Sequence, residues 1–505
     1  MKNTPPLRIL FLAAEADPFV KVGGLGDVAG SLPLALHELQ TTDEHPAVDI
    51  RLAIPFHGTI RESDYPLEFV ASYSISHSSG EIPAQVFATR LKNLTVYLIS
   101  GPPIPPEAPV YSIDTGFDGY KYTFFSMAGL RLGKSIGWQP DILHANDWHT
   151  APAVYALALN RATNPYYMPT ASVLSIHNLP YLGAGSAPAL GAFGLPPADD
   201  FHLPYWAQHM ALPLGLLTTD QIVTVSPGYA QEILTSEYGS GLHDFLRTRV
   251  DTISGILNGI DPARWDPAND PTIPAQYSST TLHLRSQNKT ALQVEFNLEV
   301  NLKQPLLAMI TRMDVQKGVD LALEAIRSLL SVPPKGPHGL QIIFLGNGDP
   351  KLEDGVRMLE SEFPDHVRAA IRYDPQLSRR IYAGADALLM PSRYEPCGLA
   401  QMIAMRYGCI PIARATGGLV DTIQDQADSN TNTGFLFKEP TPAALAGAIL
   451  RAISIYQSAD NWCAMQLSAM SQDFSWNRSA IQYLQLYQAV IQRYRSSIRM
   501  KGNRQ

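Results

Sequence analysis

Short, largely apolar runs rich in β-branched residues recur along the whole chain, each closed by a Gly, Asn, Asp or Pro signal and followed by a helical pattern. In the first half they are Leu7–Leu12, Asp49–Ile54, Leu94–Ile99, Ser172–Ile176 and Gln221–Val225; in the second, Leu306–Ile310, Gln341–Leu345, Ala369–Tyr373, Ala387–Met390 and Ile410–Ile412. Strands of this kind are buried on both faces, and parallel neighbours need a crossover, usually a helix. The pattern predicts α/β architecture with parallel sheets covered on both sides. At 505 residues the chain is too long for one core, and the two sets of runs predict two doubly wound domains. Asn258-Gly259-Ile260-Asp261-Pro262 marks the boundary, giving domains 1–260 and 261–505. Alternation between Ala71 and Arg90 around Ser78-Ser79-Gly80 predicts an inserted β-hairpin. After Ser475, the residues Ala480, Tyr483, Leu484, Tyr487, Val490 and Ile491 recur at helical spacing, so a helix over about 475–500 ends the chain.

Charge excludes several functions. Lys plus Arg number 38 against 46 Asp plus Glu, a formal charge of -8, which offers no general attraction to nucleic acid or to an anionic membrane. Any phosphate-bearing ligand must be held by a few placed groups. Cys397, Cys409 and Cys463 show no metal-ligand spacing, and their odd number makes a poor disulfide framework, so a reducing cytoplasm is expected. The first apolar run, Ile9 to Ala14, is too short for a signal-peptide core, and nothing approaches the roughly 18 apolar residues of a membrane span.

Ligands of open α/β sheets bind beyond the carboxyl ends of strands, and the informative segments fall there. Lys21-Val22-Gly23-Gly24-Leu25-Gly26-Asp27-Val28 follows the first strand and opens a helix; its glycines and helix-start N–H groups suit a phosphate, although a tight turn with a surface lysine is the other reading. It is not in G-x-G-x-x-G register, so a dinucleotide site is not supported. His144-Ala145-Asn146-Asp147-Trp148-His149 reads as a strand-end loop that mixes hydroxyl partners with a flat apolar surface, as a sugar site requires; metal binding by the two histidines is the rival. His177-Asn178-Leu179-Pro180-Tyr181 follows another strand. In the second half, Arg312 and Lys317 end a buried strand, where two cations can converge on a departing diphosphate. Pro391-Ser392-Arg393-Tyr394-Glu395-Pro396-Cys397-Gly398-Leu399 places Glu395 beside helix-start N–H groups, to accept sugar hydroxyls or merely to complement the helix dipole. Ala415-Thr416-Gly417-Gly418-Leu419 adds one more Gly-bearing loop.

Together these segments resemble the bacterial glycogen synthase and plant starch synthase family of retaining glycosyltransferases, in Lys21–Val28, His144–His149, His177-Asn178, Thr224–Pro227, Gly255–Asp261, Arg312 to Gly318, Arg393–Leu399 and Tyr407 to Asp421. Phe474-Ser475-Trp476 extends the likeness to the terminal helix. The resemblance implies two facing Rossmann-like domains (GT-B type), the active site in the cleft between them, and a terminal helix that crosses back to the first domain. It implies ADP-glucose as donor, an α-1,4-glucan such as glycogen or a maltooligosaccharide as acceptor, and transfer of glucose to the non-reducing end with retention. By position, Lys21, Gly23 and Gly24 face the donor diphosphate, and Asp147 and His177 flank the transferred glucose. Arg312 and Lys317 bind the phosphates and Glu395 the glucose hydroxyls. Cys397, Gly398 and Leu399 complete the phosphate cradle, Thr416 and Gly417 bind substrate, and Tyr373 stacks on the base. Asp-x-Asp is absent and Ile403 stands eight residues after Glu395; no metal cofactor is therefore expected, and a sucrose- or trehalose-forming transferase is disfavoured. A UDP-glucose enzyme and an inactive glucan-binding homologue are the remaining alternatives. The chain departs from the family over Gly183–Gly215: an Ala-, Gly- and Pro-rich run leads to Tyr205-Trp206, and Pro213 stands where the family has a lysine. Ordinary donor handling with altered acceptor preference is the expectation there, Tyr205 and Trp206 either offering faces to glucose rings or lying in the core.

Overall fold

In the computed structural model, which describes residues 5–39, 46–60, 64–331, 339–426 and 431–502, five of the six side chains of Leu7–Leu12 are buried. A strand apolar on both faces can only lie inside a sheet covered on both sides. That strand, β1 (Leu7–Leu12), is central to the first of two compact units, Met1–Gly259 together with Trp476–Gln505; the second is Ile260–Ser475. The first unit adds β2 (Val48–Pro55), β3 (Glu68–His77), β4 (Gly80–Leu91), β5 (Leu94–Ser100), β6 (Ile142–Asn146), β7 (Ala171–Ile176), β8 (Gln221–Thr224) and β9 (Ile253–Gly255). They form one sheet in the order β3-β4-β5-β2-β1-β6-β7-β8-β9. Its pairs are parallel except those of β4, which runs antiparallel to β3 and β5. The expected hairpin is present, turning through Ser78-Ser79 with Gly80 at φ 125°.

The second unit holds β10 (Leu306–Ile310), β11 (Gln341–Gly346), β12 (Val367–Ile371), β13 (Ala387–Met390), β14 (Ile410–Arg414) and β15 (Phe435–Phe437). All run parallel, in the order β12-β11-β10-β13-β14-β15. Leu307, Ile342, Phe344, Ile410 and Ile412 pack with Val356 and Ile449 of the covering helices. Each such side chain contributes about 1.5–3 kcal/mol by leaving water. Several strands differ from expectation: β9 and β15 were not foreseen, and β14 runs two residues past Ile412. β12 begins and ends two residues earlier than Ala369–Tyr373, which leaves Tyr373 in the loop beyond it. β6 runs on through His144, Ala145 and Asn146, where two polar side chains hide the strand from a pattern reading.

The helix Trp476–Gly502 belongs to the first unit. It buries Ala480, Tyr483, Leu484, Tyr487 and Val490, and Tyr487 reaches His144 of β6 at 2.6 Å. Strand order reverses between β1 and β6 in one unit and between β10 and β13 in the other. Crevices open at the carboxyl ends of strands at such reversals, so the ends of β1, β6, β10 and β13 are where chemistry is to be sought.

Candidate functional site

Beyond β1, the chain passes Glu15 and enters the glycine loop, with Gly23 as N-cap of the helix Gly24–Glu38. Glu15 was not singled out by sequence, yet it organises this corner. It is 1% exposed, and its carboxylate accepts the N–H groups of Val22 and Gly23, the latter at 3.1 Å, and the hydroxyl of Tyr111. Burial pushes its carboxyl up while those hydrogen bonds pull it down. The first N–H groups of the loop are thus already paired with an internal anion. Those of Gly24 and Leu25, in the first helical turn, have no helical partner. A side chain at position 23 would put its Cβ 3.4 Å from Glu15 Oε1. Lys21 forms an exposed ion pair with Asp27 at 2.6 Å.

At the end of β6, Asp147 starts the helix Asp147–Arg161 with φ 55°, in the left-handed region. Non-glycine residues rarely sit there, and those that do cluster at functional sites. Asp147 Oδ1 accepts the N–H of His177 at 2.7 Å. Burial nevertheless pushes its carboxyl up to about 7. Asn146 donates through Nδ2 to the Leu12 carbonyl at 2.8 Å, which turns its Oδ1 toward His177 Nε2 at 2.9 Å. His177 Nε2 therefore carries the proton, and Nδ1 keeps its lone pair for a donor such as a sugar hydroxyl. Burial lowers this imidazole to about 4, so it is neutral at pH 7.

The reading of His144–His149 as one loop needs correction. His144 lies inside β6, its Nδ1 facing the Tyr487 hydroxyl and its Nε2 facing Ser175 Oγ at 2.7 Å. His149 is buried in the first helical turn, against Tyr122 at 4.6 Å and Tyr111 at 5.1 Å between ring centroids. Among the described residues no three His, Cys, Asp or Glu side chains are grouped to hold a metal ion. Asp147 and His177 are therefore brought together, and the glycine loop lies at the neighbouring strand end.

In the second unit Lys317 and Glu395 meet at 2.6 Å. Glu395 is 6% exposed and also accepts from Ser392 Oγ at 3.0 Å. The loops that carry them are clamped by Arg393, which donates to Asp320 at 2.8 and 2.7 Å and to the Val315 carbonyl at 2.6 Å. Two glycines permit this approach: a Cβ at Gly318 would fall 2.1 Å from the Pro391 carbonyl oxygen, and one at Gly418 2.2 Å from that of Cys397. Gly418 donates to the Glu395 carbonyl at 3.1 Å. The ends of β10, β13 and β14 thus meet around one carboxylate, with Thr416 and Gly417 opening the helix Gly417–Thr422 beside buried Cys397. Gly398, at φ 73°, and Leu399 lead into the helix Ala400–Arg406. Arg312, by contrast, is 64% exposed at its side chain and paired with Asp314 at 2.6 Å. Tyr373 is 82% exposed, just before Asp374, which caps the helix Pro375–Gly384. Tyr205 and Trp206 are 84% and 41% exposed, so neither belongs to the core.

Two family models match the chain, one in each unit. Residues 8–248 match the family described as the starch synthase catalytic domain, and residues 293–464 match glycosyl transferases group 1. The chain is 36% identical over 502 residues to a glycogen synthase of Syntrophotalea carbinolica, with 96% of this chain and 99% of that one covered. It is 38% identical to a glycogen synthase of Thermotoga maritima, with 96% and 99% covered. Among solved structures, the catalytic domain of starch synthase IV from Arabidopsis thaliana, bound to ADP and acarbose, superposes with a TM-score of 0.84 at 32% identity, covering 97% of this chain and 100% of that one. A sucrose-phosphate synthase of Thermosynechococcus elongatus shares the fold alone, at a TM-score of 0.59 and 18% identity.

Proposed function

The chain belongs to the glycogen and starch synthase family of glycosyltransferases, and we propose that it moves glucose from ADP-glucose to the non-reducing end of an α-1,4-glucan, with retention at the anomeric carbon. The observation that carries this reading is the Lys317–Glu395 pair at the strand-order reversal of the second unit. There a cation suited to a phosphate and a carboxylate suited to sugar hydroxyls stand side by side. A nucleoside diphosphate sugar presents both kinds of group, adjacent to one another.

In the proposed reaction the bond from glucose C1 to the diphosphate breaks, leaving positive charge on the sugar ring and negative charge on ADP. The acceptor hydroxyl oxygen bonds to C1 on the same face, and its proton passes to the departing phosphate oxygen. Arg312 and Lys317 stabilise the growing negative charge, and fixed donors aimed at developing charge are usually the largest single source of acceleration. Cys397, Gly398, Leu399, Thr416 and Gly417 contribute backbone groups to the phosphate cradle, and the exposed Tyr373 ring serves the base. Glu395 accepts glucose hydroxyls. Asp147 and the unprotonated Nδ1 of His177 serve the transferred glucose, while Lys21, Gly23 and Gly24 line the diphosphate, with Glu15 fixing their loop through the Val22 and Gly23 N–H groups. No helix of the described residues is long and apolar enough to cross a membrane, and we place the reaction in the cytoplasm without a nucleic-acid partner. Incorporation of radiolabelled glucose into glycogen, measured from ADP-glucose and UDP-glucose side by side, tests the reading. ADP-glucose is expected to give the higher specificity constant, and the reverse order would overturn the donor assignment.

A further inference from the structure

Between β5 and the helix Thr115–Ser135 the chain runs through five prolines, from Pro102 to Pro109. Proline has no N–H and cannot sustain a ladder, so the carbonyls of such a segment need donors from elsewhere. At Pro109 and Val110 the donor is Lys121 of that helix, whose side chain is 0% exposed. Its ammonium donates to the two carbonyls at 2.9 and 2.8 Å and pairs with Asp118, one turn back, at 2.7 Å. All three of its N–H donors are thus used inside the protein. A methionine would fill the same space without desolvating a charge, so what Lys121 adds there is its donors.

Two neighbours grip the same stretch. Asp118 accepts the N–H of Ser112 at 2.8 Å, and the Tyr122 hydroxyl donates to the Val110 carbonyl. Tyr111 stands between the gripped residues. Its hydroxyl donates to Glu15, which in turn takes the N–H groups of Val22 and Gly23. Its ring lies 5.1 Å from that of His149, in the first turn of the helix that Asp147 begins. A continuous line of hydrogen bonds and packed rings therefore joins a buried ammonium to the glycine loop and to the Asp147 corner. We propose that Lys121 is a positioning residue for the donor: by fixing Tyr111 it holds Glu15, and through Glu15 it holds the glycine loop ready for the diphosphate. This rests on the reading of that loop given above.

The test needs one readout that does not depend on turnover. In amide hydrogen exchange of the free full-length protein, Lys121→Met is expected to speed exchange at Val22 and Gly23 about 10-fold, while β7 and β8 keep wild-type rates. Calorimetry should show ADP bound about 10-fold more weakly. In kinetics, KM for ADP-glucose rises by the same factor, whereas kcat and KM for glycogen stay within about twofold. Tyr111→Phe, which removes one hydroxyl and keeps the ring, should give the same split. The double variant should be no worse than the poorer single one within about twofold, because both act along one line. Tyr487→Phe on the terminal helix is the control for general loosening, and its KM for ADP-glucose is expected to match wild type. Wild-type exchange at Val22 and Gly23 in a folded Lys121→Met overturns the inference. So do losses that multiply in the double variant, or an equal rise of KM in Tyr487→Phe. Should Lys121→Met not fold, Tyr111→Phe decides by the same readouts, and wild-type exchange with wild-type ADP binding overturns the inference. Faster exchange and weaker ADP binding in variants of a protein that transfers no glucose support the inference and sink the proposed reaction. Transfer from ADP-glucose, with exchange and KM untouched in the variants, does the opposite.

Discussion

Asp147 carries two costs at once, a left-handed backbone and a buried carboxyl held near 7 rather than 3.8. Between those two pH values the unfolded carboxyl is ionised while the folded one keeps its proton. The folded state then binds more protons, so stability falls as pH rises through the window and the loss is complete above it. The full cost is on the order of 4 kcal/mol at most. Asparagine matches the shape, tolerates the left-handed region and does not titrate. Asp147→Asn is expected to melt like wild type near pH 4 and higher than wild type at pH 8, while turnover falls about 10–100-fold for want of the charge. A melting difference that does not grow with pH would show that the carboxyl titrates normally. Arg312 and Lys317 separate in a similar way. Arg312 is mostly exposed, so Arg312→Ala should leave the melt within about 0.5 kcal/mol and cost about 10²–10³ in rate. Lys317→Ala should match that rate loss and also cost roughly 1–3 kcal/mol of stability, because it strands the buried Glu395 carboxylate. Near-normal turnover in either variant would place the phosphates elsewhere.

At the scale of elements, the strands legible in the sequence were the ones whose apolar runs speak for themselves, such as β1, β10 and β13. β6 was harder, since a pattern reading takes His144 and Asn146 for loop. They can lie in a strand because each polar atom has a distant partner: His144 pairs with Tyr487 at a sequence separation of 343, and Asn146 with Leu12 at 134. Separations of that size leave no local signature. The same pair shows how the terminal helix is pinned to the sheet. Burial lowers His144 to about 3, so it is a neutral ring that needs one donor and one acceptor. Tyr487→Phe removes one of them inside the core and should cost about 1–3 kcal/mol in denaturant unfolding. A midpoint equal to wild type would mean that packing alone holds the helix.

At the scale of the whole molecule, each sheet reverses strand order beside strand ends that carry candidate residues, the place where open α/β sheets bind ligands. What sequence could not supply was Glu15. An acid in an Ala-rich stretch gives no hint that its oxygens will take the N–H groups of Val22 and Gly23, a pairing created only by the turn of the chain. Charge closes the argument. A protein with a formal charge of -8 that accepts a diphosphate must neutralise it locally, and enzymes commonly do so with a divalent ion. In the proposed reaction Arg312 and Lys317, both of the second unit, supply positive charge to the diphosphate beside first-turn N–H groups. Turnover is therefore expected to stay within about twofold in excess chelator. Activity that disappears with chelator and returns with magnesium or manganese would mean that these cations do not suffice, and that a metal shares the diphosphate with them.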